Sequence, residues 1–265
     1  MKKRLDVLVY ESGHAPSREM AQRFIRAGEV RVNGQIADKP GMQIAADSTI
    51  EVQTAPKYVS RGGEKLAGAF DAFKLNVTNL ICADVGASTG GFTDCLLQNG
   101  ASKVYAIDVG YGQIALKLRN DDRVIVIERT NARYIESLDE PIQFVSIDAS
   151  FISLKILLPP IYNWLTATGE VVALIKPQFE AGKKYVGKGG VVKDEFVHRY
   201  VLEKIMNTAQ TIGFKVCGVT ISPITGPKGN VEFLGWFSKD STLNNIDIKT
   251  AINTTLQDIQ VTTPR

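Results

Sequence analysis

Asp84-Val85-Gly86-Ala87-Ser88-Thr89-Gly90-Gly91-Phe92 is the stretch whose reading decides the fold. Leu80-Ile81-Cys82-Ala83 ahead of it is an apolar run with the character of a buried strand, and Phe92-Thr93-Asp94-Cys95-Leu96-Leu97 behind it reads as a helix start. Strand, glycine turn and helix in that order form a nucleotide-type cofactor site at the carboxyl end of a parallel sheet.

The chemistry of the turn narrows the cofactor. A dinucleotide fingerprint wants glycine at its first, third and sixth positions, so that pyrophosphate can rest on the helix N-terminus. Here Ser88 holds the third position, and Asp84 stands two residues before Gly86. A carboxylate there repels pyrophosphate but suits a cofactor with a sulfonium, an ammonium and no phosphate, such as S-adenosylmethionine. Asp84, Gly86, Ala87, Ser88, Thr89, Gly90, Gly91 and Phe92 are therefore the expected cofactor residues of the turn. Asp-x-Gly-x-Ser-x-Gly is also one substitution from the acidic-x-Gly-x-Gly-x-Gly pattern of methyltransferases. For the glycine cluster alone, a tight turn without a ligand remains the alternative.

Outward from the turn, strands and helices alternate. Lys103 to Asp108 is a second strand ending in an acid; Asp108 lies where a carboxylate accepts hydrogen bonds from both ribose hydroxyls of an adenosine. Val124 to Ile127 is the third strand, with Asn131 shortly after it as a further cofactor candidate, and Phe144 to Asp148 is the fourth. A helix through Phe151-Ile152-Ser153-Leu154 is expected next. Glu170 to Lys176 is the fifth strand, ended by Pro177, and a helix from about Glu195 to Gly213 precedes a closing hairpin of Val216 to Ile221 and Val231 to Phe237. The fold class is thus α/β: a Rossmann-like, mostly parallel seven-stranded sheet with one antiparallel strand. The polar tail from 241 to 265 is uninformative.

Composition sets modest bounds. At 265 residues the chain accommodates one large core and a small satellite domain, and a 44% hydrophobic share with mixed charges describes a soluble globular protein. The formal net charge of +3 neither proves nor excludes nucleic-acid binding. Cys82, Cys95 and Cys217 are scattered and odd in number, and His14 and His198 are isolated, so no disulfide framework and no metal site is expected. No apolar run reaches the roughly 18 residues of a spanning helix, and Met1-Lys2-Lys3-Arg4 leads into no signal-peptide core. The expected compartment is the cytoplasm.

The amino-terminal segment is a separate unit, expected over residues 1–53. Leu5, Leu8 and Val9 share a helical face, Ser17 caps a second helix that Gly28 stops, and Val30-Arg31-Val32 with Asn33-Gly34 reads as a strand and hairpin turn. The string from Ser17 to Gly34 resembles the alpha-L RNA-binding domain named after a small-subunit ribosomal protein, a small α+β unit whose second helix and Val-Asn-Gly turn face RNA. That resemblance makes Arg4, Arg18, Arg23, Arg26, Arg31 and Asn33 candidate RNA contacts, with Arg61 beyond the linker. For the arginines taken alone, a solvated face is the other reading. Residues 54–60, with Pro56 as breaker, are expected to link this unit to a domain spanning 61–240.

Four charged residues give the chemical case. Asp148 and Lys176 end neighbouring strands and should converge beside the cofactor turn, while Lys65 and Glu232 border the same sheet edge. Structural salt bridging is the alternative for any one pair. Lys65 in Ser-Arg-Gly-Gly-Glu-Lys-Leu, Asp148 in Ser-Ile-Asp-Ala-Ser-Phe, Lys176 in Leu-Ile-Lys-Pro-Gln-Phe-Glu and Glu232 in Asn-Val-Glu-Phe-Leu match the Lys-Asp-Lys-Glu tetrad of ribose 2′-O-methyltransferases of the FtsJ type. With the alpha-L unit in front, residues 4 to 238 look like the TlyA family. The resemblance implies an S-adenosylmethionine-dependent methyltransferase acting on a cytidine 2′-hydroxyl of ribosomal RNA or assembled ribosomal subunits, with no membrane partner.

A ribose hydroxyl is a weak acid, so a base must take its proton as the carbon–oxygen bond forms. Lys176 is the candidate base, with Lys65 as a second cation and partial burial favouring its neutral form. Asp148 is expected to orient Lys176, and Glu232 to hold Lys65 or the ribose. The loop Gln178 to Gly190, with Lys183, Lys184 and Lys188, suits a segment that grips phosphate and stacks a splayed base, or else a solvated loop. An inactive assembly factor should show a damaged tetrad or cofactor turn. A membrane-lytic protein, as the family's haemolysin label suggests, needs a long apolar or amphipathic segment. Neither feature is present in the sequence.

Overall fold

The computed structural model describes residues 2–52, 56–187 and 189–262. Contacts divide the chain into two compact units, the first ending at Lys57 and the second starting at Tyr58.

In the first unit β1 (Lys2–Arg4), α1 (Leu5–Glu11), α2 (Arg18–Arg26), β2 (Val30–Val32), β3 (Gln35–Ile36), β4 (Gln43–Ala45) and β5 (Ile50–Val52) follow in order. The Ser17 hydroxyl accepts from the Met20 N–H and caps α2 as its sequence position requires. Leu5, Val9, Ala21, Ile25 and Val30 pack into its core. Asn33 takes φ +50° and Gly34 φ +81°, so the Asn-Gly turn is of the tight kind its residues favour. Asp6 is fully buried; its carboxylate accepts from Arg4, Arg18 and Gln22, and the Arg4 guanidinium foremost holds its carboxyl well below the usual carboxylate range. Unpaired burial of that charge would be costly, so these arginines are part of the fold.

The second unit comprises α3 (Gly62–Phe73), β6 (Ile81–Val85), α4 (Gly91–Gln98), β7 (Lys103–Ile107), α5 (Leu116–Arg119), β8 (Val124–Ile127), β9 (Ile142–Ile147), α6 (Leu154–Trp164), β10 (Leu165–Ile175), α7 (Pro177–Glu180), α8 (Glu195–Ile212), β11 (Lys215–Ile221), β12 (Phe233–Ser238) and α9 (Ile248–Thr262). Its seven-stranded sheet has the order β11-β12-β10-β9-β6-β7-β8, parallel except for β12, which runs antiparallel to β10 and β11. Successive residues of a strand face opposite sides, and the core divides accordingly. Ala83, Val145, Ala173 and Ile175 pack under α6, α8 and α9; Cys82, Phe144, Val172 and Leu174 pack under α3 and α4.

Two expectations change. The linker is shorter than expected, because Tyr58 is buried, the Val59 N–H donates to Asp94 Oδ2 at 2.9 Å, and Ser60 lies against Gly91. Gly63 makes room for Tyr58: a Cβ there would fall 2.2 Å from the ring. The helix expected through Phe151 begins only at Leu154, since Phe151 adopts φ +62° and stands 89% exposed in a loop. The tail is structured through α9, whose Ile252 and Leu256 join the core. The Ile246 N–H and the Asn245 side chain bond the Val216 backbone on the free edge of β11.

Candidate active site

Strand β6 lies between β7 and β9, so the chain order reverses there and a crevice opens beyond the carboxyl ends of the strands. Gly86 follows β6 with φ +86°, and a Cβ on it would lie 2.7 Å from the Asp148 carbonyl oxygen. The loops after β6 and β9 therefore touch backbone to backbone, which only glycine permits.

Two cavities meet along this contact and share Gly86, Ser88, Asp148, Ser150 and Phe151 on their walls. One, of about 640 Å³, is also lined by Ile107, Asp108, Asn131, Ala132 and Leu157. Asp108 is held by backbone donors: Oδ2 accepts from the Ser88 N–H at 2.7 Å and Oδ1 from the Gly110 N–H at 2.6 Å. A carboxylate offers about four lone-pair sites, so it retains acceptor capacity for a ligand hydroxyl. Asn131 accepts from the Arg133 N–H at 3.2 Å and presents the rest of its amide at the wall.

The other cavity, of about 800 Å³, holds the charged residues. Lys65 from α3 meets Glu232 Oε2 at 2.6 Å, and Glu232 Oε1 accepts from Gln178 Nε2 at 3.1 Å. Lys176 at the end of β10 meets Asp148 Oδ1 at 2.5 Å and donates to the Ser150 hydroxyl at 3.0 Å. Both lysines are buried to 8% exposure and Glu232 to 1%. Gly226 is needed beside Glu232, where a Cβ would lie 2.1 Å from its carboxylate. Each lysine has its own carboxylate, Glu232 for Lys65 and Asp148 for Lys176.

The cofactor turn divides into residues that face a cavity and residues that shape it. Ala87, Gly91 and Phe92 line the larger cavity with Gly86 and Ser88. Thr89 and Gly90 line neither: the Thr89 carbonyl accepts from the Ala115 N–H, and Gly90, at φ +97°, leaves the space that Leu118 fills. Asp84 is a correction. It is fully buried under the turn, where Oδ2 accepts from the Thr93 N–H and hydroxyl at 2.8 and 2.7 Å and Oδ1 from Ser146 at 3.2 Å. Burial pushes its carboxyl up to about 7. Asp84 thus ties α4 to β6 and β9 and lines neither cavity.

The candidate RNA residues separate in the same way. Arg23 and Arg26 are exposed on α2, whereas Arg4 and Arg18 hold Asp6, Arg31 donates to the Gly34 carbonyl at 3.0 Å, and Asn33 accepts from the Thr49 N–H. Arg61 lines the larger cavity and donates to the Thr225 carbonyl at 3.3 Å. Lys183 and Lys184 are exposed in a short turn, and Lys188 lies outside the described residues. Sequence reasoning missed Phe151 and Ser150, whose one signal is adjacency to Asp148, whereas Phe179 belongs to the Gln178 to Gly190 loop read as a stacking or solvated segment. The rings of Phe151 and Phe179 are 4.9 Å apart beside Lys176.

Among the described residues no helix is long and apolar enough to cross a membrane, and no group of three or more His, Cys, Asp or Glu could hold a metal ion.

Known proteins resemble this chain along its length. A family model described as FtsJ-like methyltransferase matches residues 58–239, and one described as S4 domain matches residues 3–50. Hemolysin A of Brachyspira hyodysenteriae is 47% identical over 237 residues, covering 88% of this chain and 99% of that protein. The 16S/23S rRNA (cytidine-2'-O)-methyltransferase TlyA of Mycobacterium tuberculosis is 44% identical over 237 residues, covering 88% of each. A solved structure of a hemolysin-named protein from Streptococcus thermophilus gives a TM-score of 0.74 at 44% identity and covers 98% of both chains.

Proposed function

We propose, since this chain belongs to the FtsJ-like methyltransferase family and carries an S4 domain, that it methylates a ribose 2′-hydroxyl of a cytidine in ribosomal RNA. The observation that carries the reading is the convergence of Lys65, Asp148, Lys176 and Glu232, from separate elements, on one cavity that adjoins the cofactor turn.

The smaller cavity fits the nucleoside end of S-adenosylmethionine. Asp108 is an acceptor fixed by two backbone donors, Asn131 supplies an amide, and Ile107, Ala132 and Leu157 give apolar walls for a base. Gly86 allows close backbone approach where the two cavities join. When bound, S-adenosylmethionine supplies an electrophilic methyl group on a sulfonium sulfur.

The chain's own residues then have separable tasks. Lys176 takes the proton of the ribose 2′-hydroxyl at Nζ, and Asp148 and Ser150 fix that nitrogen from one loop. Lys65 and Glu232, locked to each other with Glu232 also held by Gln178, form the wall that orients the ribose. The exposed Phe151 ring, backed by Phe179, offers a stacking face for an unpaired base. The first unit supplies RNA affinity through the outer face of α2. The haemolysin names belong to the relatives, and no feature of this site favours lysis.

RNA from cells with and without the protein, digested to nucleosides, tests the reading: loss of 2′-O-methylcytidine supports it, and an unchanged nucleoside profile opposes it. Charge reversal of Arg23 and Arg26 to glutamate should weaken RNA binding at least about tenfold at physiological salt and reduce the salt slope by about 2. Unaltered affinity and slope would remove α2 from the RNA face.

A further inference from the structure

Glu180 lies four residues beyond Lys176 and is 4% exposed, yet among the described residues no ion pair involves its carboxylate. Its two oxygens instead accept from the start of α6: Oε2 from the Ser153 hydroxyl at 2.6 Å and Oε1 from the Leu154 N–H at 2.7 Å. A carboxylate suits a helix N-terminus, where backbone donors lack partners and the helix dipole is positive. From the other side, Lys204 of α8 donates to the Glu180 main-chain carbonyl at 2.8 Å. Glu180 is therefore tied at its side chain to α6 and at its backbone to α8.

The two segments it joins are those that present the reacting pair. The loop from Asp148 to Ser153 carries both partners of the Lys176 amine, and α7, a single turn of four residues, starts directly after Lys176. One turn is too short to hold its own position by helical cooperativity. Asp148 and Lys176 follow the ends of adjacent strands, Ile147 and Ile175, and the ladder joining those strands stops earlier, at Ile147 opposite Ala173. The sheet therefore does not fix the separation of their side chains. Beyond the sheet, the Phe151–Phe179 ring contact and the Glu180 carboxylate also tie the segments together.

We infer that Glu180 is a positioning residue for methyl transfer: by clamping Ser153 and Leu154 it holds the Asp148–Ser150 loop in register with Lys176. This inference rests on the catalytic reading above. It assigns Glu180 no contact with substrate and no proton of its own; it acts through the hydrogen-bonded geometry of the loop. Hence glutamine, whose carbonyl still accepts from the Leu154 N–H and whose amide can still meet Ser153, should substitute for it, and alanine should not.

The test compares Glu180→Ala, Glu180→Gln and Ser153→Ala in the full-length protein, below its melting transition. Steady-state methyl transfer to ribosomal RNA is measured along with hydrogen exchange over residues 148–155. Misplacement of reacting groups on the ångström scale predicts that Glu180→Ala lowers kcat about 10- to 100-fold while KM for cofactor and RNA each stay within about threefold. Faster exchange should be confined to the loop and the first turn of α6. Glu180→Gln should return kcat to within about threefold of the parent, because the clamp is geometric rather than a matter of charge. A folded Glu180→Ala with parental kcat overturns the inference, as does a glutamine variant no better than alanine. Should Glu180→Ala fail to fold, Ser153→Ala decides: reduced kcat at unchanged KM supports the clamp, and parental kcat contradicts it. If the unsubstituted protein transfers no methyl group, the catalytic reading fails by itself. Exchange over 148–155 then decides the clamp separately, since acceleration in Glu180→Ala supports it and unaltered exchange overturns it.

Discussion

Lys176→Ala should abolish methyl transfer, lowering kcat by about 10²- to 10⁴-fold, the range associated with loss of a general base. Cofactor affinity should stay within a few fold, because Lys176 lies in the larger cavity and is absent from the wall of the smaller one. Lys176→Arg sharpens the point. A guanidinium can keep the charge beside Asp148, but it does not deprotonate near neutral pH and cannot accept a proton. If Lys176 is the base, arginine and alanine fail alike; if it serves as a fixed cation orienting the ribose, arginine should retain much of the rate. Turnover by quenched-flow or filter assay, beside cofactor titration calorimetry, separates these outcomes. Retained activity in Lys176→Ala would remove it as the base.

Gly86→Ala is the second large effect. The added Cβ would meet the Asp148 carbonyl oxygen at 2.7 Å, its carbon at 2.9 Å and Ala149 Cα at 3.1 Å, all main-chain atoms that no side-chain rotation can move. The residue would also be forced to hold φ +86°, a strain of about 1–3 kcal/mol for a non-glycine residue. Relief requires the loops after β6 and β9 to part, and those loops form the walls shared by both cavities. Cofactor affinity should therefore drop about 100-fold or more, the equivalent of roughly 3 kcal/mol, and the melting temperature should fall with it. Gly112→Ala is the control. It has a similar φ of +68° but nothing within 4 Å of the added carbon, so it should cost about 1 kcal/mol of stability and leave affinity nearly unchanged. Equal effects of the two substitutions would show that backbone strain, not the loop contact, matters at Gly86.

The parts of this molecule legible in its sequence are those that local chemistry dictates. Apolar strand runs such as Phe144 to Ile147, the Ser17 cap, the Asn33-Gly34 turn and the glycines after β6 each admit few backbone conformations, and the elements they announce are present. Lys65, Asp148, Lys176 and Glu232 could be placed at one edge because each ends or borders an apolar strand or helix. The pairing of Lys176 with Asp148 follows from their neighbouring strand ends, whereas for Glu232 the sequence leaves Lys65 and the ribose as alternative partners, since Lys65 lies 167 positions away. Asp84 misled for a related reason. A carboxylate at a strand end reads as ligand-facing, and only the tertiary placement of Thr93 and Ser146 turns it inward. Phe151 was hidden by its left-handed backbone, which nothing in Asp-Ala-Ser-Phe-Ile announces. The carboxyl-terminal helix leaves only a weak trace in the sequence. Ile248, Ile252, Thr255, Leu256 and Ile259 recur at helical spacing, but the polar residues between them masked the stripe.

The central claim is that this cavity transfers a methyl group to a ribose hydroxyl of ribosomal RNA. Its most direct test incubates the purified protein with methyl-labelled S-adenosylmethionine and separated small and large ribosomal subunits from cells lacking the protein, with Lys176→Ala alongside. The account predicts label in RNA that resists alkaline cleavage at a single ribose, and none with the Lys176→Ala protein. No label in either subunit, with cofactor binding intact, would contradict it.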